Sequence, residues 1–144
     1  MHYLSCPDIA FTAIRQTYLQ LLTKQLHAIQ TYPGITTTIV KILRHGYQKS
    51  WIDELNDDAY THPILLDAIK QQQSLGEHSL PLGYLSSLWE NTQLQWSRST
   101  NTKMTGGSWM TTVITILHTY TYSIWKERNK IVHQHSKKSK RTIA

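Results

Sequence analysis

The stretch Trp109-Met-Thr-Thr-Val-Ile-Thr-Ile-Leu-His-Thr-Tyr-Thr-Tyr-Ser-Ile-Trp125 decides the fold class, because a strand and a helix can both claim it. Five of its 17 residues are threonine, whose β-branched side chain lowers helix propensity and suits a sheet. A strand over residues 112–121 is therefore the competing reading. The apolar spacing favours a helix. Trp109, Val113, Ile116, Leu117, Tyr120, Ile124 and Ile131 recur at three and four residues, and no other segment offers a partner strand. Ser108 is suited to cap the first turn, and the helix is expected to run to about residue 136. The window is also short and polar for a bilayer span, so no membrane partner is expected.

The same period recurs toward the N-terminus. Phe11, Ile14, Tyr18, Leu21, Leu22, Leu26 and Ile29 predict a first helix over residues 8–31. Tyr32-Pro33-Gly34 interrupts it, and Ile35, Ile39, Ile42, Leu43, Gly46 and Tyr47 restart the pattern to about Ser50, which predicts a helical hairpin. Residues 53–58 hold four of the nine acidic side chains and read as a solvated loop. Pro63 opens a further helix with Leu65, Ala68, Ile69 and Gln72 on its inward side, before Gly76. Ser79 and Pro81 read as the N-cap and first turn of the next, whose stripe is Leu85, Leu88, Trp89, Thr92 and Trp96. The polar run 97–107 reads as a loop. The expected fold is all-α, an irregular bundle of about five helices over residues 1–136, followed by a basic, disordered tail at 137–144.

At 144 residues and 40% hydrophobic the chain is one folded domain's worth. Its lone cysteine, Cys6, excludes an intrachain disulfide and a multi-thiolate metal site, and the start lacks a signal-peptide pattern, so an intracellular setting is expected. Gly106-Gly107 lacks the following Lys-Ser/Thr of a phosphate loop, and the scattered histidines suggest no ligand set; no cofactor is expected. The net charge of +6 is segregated. Residues 1–125 carry eight charges of each sign, whereas Lys126, Arg128, Lys130, Lys137, Lys138, Lys140 and Arg141 face only Glu127 in the remainder. Such a basic end favours polyanions, and weak, nonspecific contact with RNA or DNA phosphates is the activity expected if the chain has one, the alternative being a plain solubilising tail.

Several landmarks recur in a familiar order: His2 to Cys6-Pro7-Asp8, Gln73-x-Leu-Gly76, Gly83-Tyr-Leu-Ser86-x-x-Trp89, Trp109, and Trp125-Lys-Glu-Arg-Asn-x-x-Val-His133. Together they resemble the C-terminal region of reverse-transcriptase polyproteins from non-LTR retrotransposons of protists and algae. The resemblance implies a helical region downstream of a polymerase, with His2 and Cys6 as remnant ligands of a zinc knuckle. Tetrahedral zinc needs four donors, and two do not make a site. The polymerase's catalytic aspartates have no counterpart here, so the resemblance transfers no catalytic centre.

Arg128-Asn129-Lys-Ile-Val-His133 also resembles the Arg-x4-His motif of HEPN domains. That resemblance implies metal-independent RNA cleavage, with His133 moving a proton, Arg128 holding the phosphate and Asn129 positioning its neighbours, in a site built by two protomers. Residues five apart lie about 140° apart on a straight helix, so a kink or helix end would be required. The preferred expectation is therefore a noncatalytic fragment for which no dimer is required, with a structural remnant lacking any activity as a further alternative.

Overall fold

The computed structural model describes residues 9–57, 63–100 and 106–143, with side chains described over 11–55, 64–100 and 108–133. Six helices and no strand occur among the described residues: α1 (Ile9–Ala28), α2 (Pro33–His45), α3 (Lys49–Asp57), α4 (Pro63–Ser74), α5 (Ser87–Thr100) and α6 (Gly106–Ile143). The all-α bundle is as expected. The threonines of α6 are reconciled with helix by back-bonding: the hydroxyls of Thr112, Thr115 and Thr119 donate to the carbonyls four residues earlier, at 3.0, 3.0 and 2.9 Å.

α6 is the spine. It packs most extensively on α1 and also on α5; α2 lies against α1, α4 against α5, and α3 against α4. Its stripe of Trp109, Val113, Ile116, Leu117, Tyr120 and Ile124 is buried, together with Leu19, Leu22 and Leu26 of α1 and Ile35, Ile39 and Ile42 of α2. Leu21, expected inside, is exposed, and Leu19 takes its place because it completes the 19–22–26 ridge that faces the core.

The extra helix is α3. The acidic segment expected to be a loop hides an amphipathic turn pattern, with Trp51 buried, Ile52 and Leu55 partly buried against the core, and Asp53 and Glu54 left outside. The Trp51 indole N–H donates to the Gly46 carbonyl at 3.0 Å, tying α3 to the end of α2. Two caps also differ from expectation. Helix α6 starts at Gly106, so Ser108 sits inside its first turn. Ser86, not Ser79, caps α5: its hydroxyl accepts from the Leu88 amide at 3.1 Å. α5 then runs to Thr100, shortening the polar loop, and residues 101–105 of that loop lie outside the described residues.

Buried polar side chains fix how the helices meet. Gln72, fully buried on α4, uses its whole amide: Nε2 donates to Ser79 Oγ at 2.8 Å and to the Tyr84 carbonyl at 2.6 Å. Its Oε1 accepts from the Ser86 amide and the Trp89 indole, each at 2.9 Å. Two donors and two acceptors are thereby satisfied, the full capacity of the group. The α1–α2 connection is sealed similarly. Gln93 of α5 accepts from the Tyr32 amide at 2.7 Å and donates to the Gln30 carbonyl at 3.0 Å, while the Trp109 indole donates to Thr31 Oγ1 at 2.9 Å.

α1 ends in a Schellman arrangement, with the Thr31 amide on the Leu26 carbonyl and the Gln30 amide on that of His27. Gln30 holds the left-handed position, φ 57°, that glycine usually occupies there.

Candidate nucleic-acid interface

The candidate interface lies on the outer faces of α6. This helix is unbroken from Gly106 to Ile143, past residue 136 where the sequence pattern suggested an end. Thirty-eight residues at 1.5 Å each span about 57 Å. Among the described side chains of α6, the last buried one is Ile124, and Trp125, Lys126, Lys130, Val132 and His133 are exposed.

Helical register sorts the basic residues. At 100° per residue, positions 126, 130, 133, 137, 140 and 141 fall within an arc of about 100°. The helix positions of Lys126, Lys130, His133, Lys137, Lys140 and Arg141 therefore fall in one register over four turns. Arg128 and Lys138 lie off it. Side chains are described only for the first half of this stripe; those of Lys137, Lys138, Lys140 and Arg141 lie outside the described residues. The sole ion pair described joins Lys130 to Glu127 at 3.5 Å, an exposed contact one turn apart that contributes little and is screened by salt.

The same continuity separates the residues of the Arg-x4-His pattern. Arg128 and Asn129 are half-buried and His133 is exposed, and no helix end intervenes between Arg128 and His133, whose azimuths differ by about 140°. His2 and Cys6, which the retroelement resemblance would make remnant zinc ligands, lie outside the described residues. No group of three or more His, Cys, Asp or Glu side chains that could hold a metal ion occurs among the described residues. No helix there is long and apolar enough to cross a membrane.

Beside the basic stripe the structure assembles a groove that sequence reading missed. The turn after α4 folds back on α6: Thr121 Oγ1 donates to the Pro81 carbonyl at 2.6 Å, and His118 Nε2 lies 2.9 Å from the Leu82 carbonyl, which makes that nitrogen the donor. Gly83 permits this approach. Its φ of 87° suits glycine, and a Cβ there would collide with the His118 ring.

Pro81, Leu82, His118, Thr121, Tyr122 and Trp125 line a cleft of about 310 Å³. Tyr122 and Trp125 are 60% and 45% exposed, with ring centroids 5.9 Å apart and planes tilted by 31°. The available signal was that both aromatics fall off the buried stripe, three residues apart.

Two phenols elsewhere are shifted upward. Tyr120, in the core, is pushed up to about 12 by burial, opposed by the nearby Arg15 and Arg44 charges. Tyr47 is also raised to about 12, by burial and then by Glu77. Both remain protonated at neutral pH, so neither supplies a base there.

Compared with protein-family models, curated proteins and solved structures, the chain matches none.

Proposed function

We propose that this chain is a noncatalytic helical module, derived from the C-terminal region of a retroelement polyprotein, that holds nucleic acid without reading its sequence. One observation supports the binding half: α6 continues through residue 143, so that by helical register positions 126, 130, 137, 140 and 141, all Lys or Arg, fall on one side of the helix. Regularly spaced cations on one face displace condensed counterions from a phosphate backbone, and that release supplies affinity independent of base identity. The ancestry rests on the order of the landmarks. Several of them serve packing, with Trp89 and Trp109 buried and hydrogen-bonded and Gly83 under the His118 ring.

The test is titration of a labelled DNA duplex with the full chain over a series of salt concentrations. Five phosphate contacts correspond to a slope of about −4.5 in log affinity against log salt. Replacing Lys126 and Lys130 by Ala should lower affinity uniformly across sequences and reduce the slope by about two. A slope near zero, or one that ignores the lysine substitutions, would refute the reading.

A further inference from the structure

We infer that the Tyr122–Trp125 cleft is a base-stacking shelf, so that the ligand of α6 is a single nucleic-acid strand in preference to a duplex. The inference rests on the charge-based reading of α6 and adds to it the class of nucleic acid.

Three observations converge on the cleft. Two aromatic rings stand side by side and open to solvent, on a helix whose other large apolar side chains between Trp109 and Ile124 are buried or, for Met110 and Ile114, partly buried. None of the six lining residues is acidic, so nothing in the wall repels a phosphate backbone. Lys126 follows Trp125 directly, and in azimuth Tyr122 lies about 40° and Trp125 about 100° from it on the same side. Stacking surface and cationic track are thus adjacent along one rigid element. Single-strand binders combine these two features, an aromatic platform for the bases and a basic path for the backbone. A duplex keeps its bases stacked on each other and offers nothing to the shelf.

The cleft is held open by structure, not by chance exposure. The Thr121–Pro81 and His118–Leu82 hydrogen bonds dock the turn that forms its far wall. Trp125 and Tyr122 are both largely outside the core, so replacing either leaves the packed stripe of α6 intact.

The experiment compares the parent chain with Trp125→Ala, Tyr122→Ala and Trp125→Phe. Each is titrated by fluorescence anisotropy against a labelled oligothymidylate of roughly 15 nucleotides, a duplex of equal length and an abasic strand of equal length. The parent should prefer the thymidylate to both other probes. Trp125→Ala should weaken thymidylate binding roughly five- to hundred-fold, the range for loss of one base-aromatic stack. Duplex affinity and salt slope should be unchanged, and Trp125→Phe should restore most of the loss. Equal binding of abasic and thymidylate strands, or an equal loss on duplex in Trp125→Ala, would overturn the shelf while leaving the charge-based reading standing. Absence of salt-dependent binding to any probe would remove that reading, and the shelf with it.

Discussion

Replacing Gln72 by Ala should destabilise the domain by about 3–5 kcal/mol, a large share of the roughly 5–15 kcal/mol that holds a small domain together. The side chain is fully buried and joins α4 to the following turn and to α5 through four hydrogen bonds. Truncation leaves the Trp89 indole N–H and the Ser86 amide without their acceptor, and the Tyr84 carbonyl without its donor. An orphaned buried group costs about 1–3 kcal/mol, and the two donors alone account for the lower end of the expected loss.

The assay is urea unfolding followed by tryptophan fluorescence and circular dichroism. With a slope of about 1.5–2 kcal/mol per molar urea, the midpoint should fall by about 2 M. Gln73→Ala, an exposed neighbour on the same helix, serves as the control and should stay within about 0.5 kcal/mol of the parent. If Gln72→Ala also lay within about 1 kcal/mol of the parent, the amide would not be sealing this junction and the reasoning would fail.

Gly83→Ala should cost about 2 kcal/mol or more, since it combines a left-handed backbone with a collision at His118; unchanged urea stability would contradict the docked-turn geometry. Gln30→Gly should raise stability by about 1 kcal/mol, because glycine occupies the left-handed end of α1 without steric cost, and a lower unfolding midpoint would argue against it. Tyr120 ionises near 10 when unfolded and near 12 when folded, so its contribution is complete below pH 10 and is lost as pH rises toward 12. Tyr120→Phe should flatten that alkaline decline in a pH series of urea midpoints. On the noncatalytic reading, purified chain incubated with single-stranded RNA in EDTA should leave it intact, and cleavage that disappears in His133→Ala would restore the Arg-x4-His alternative.

The sequence by itself determined the helical class, most of the buried stripes and the segregation of charge. These are properties of period and order along the chain. The 3.6-residue spacing from Trp109 to Ile124 outweighed the threonines because burial of a continuous apolar face contributes more than intrinsic propensity. Pro63 and the Leu65, Ala68, Ile69, Gln72 pattern likewise located α4. Acidic residues concealed α3, whose two-turn apolar pattern is too short to stand out without the core that Trp51 enters. Only the tertiary structure decided that Gln72 closes a junction with partners seven to seventeen residues away, and that the 79–84 turn docks on α6 across some 40 residues of chain. The physical reason is that periodicity records which face of a helix leaves water, whereas a directional hydrogen bond or a cleft wall depends on which distant segment arrives at that face.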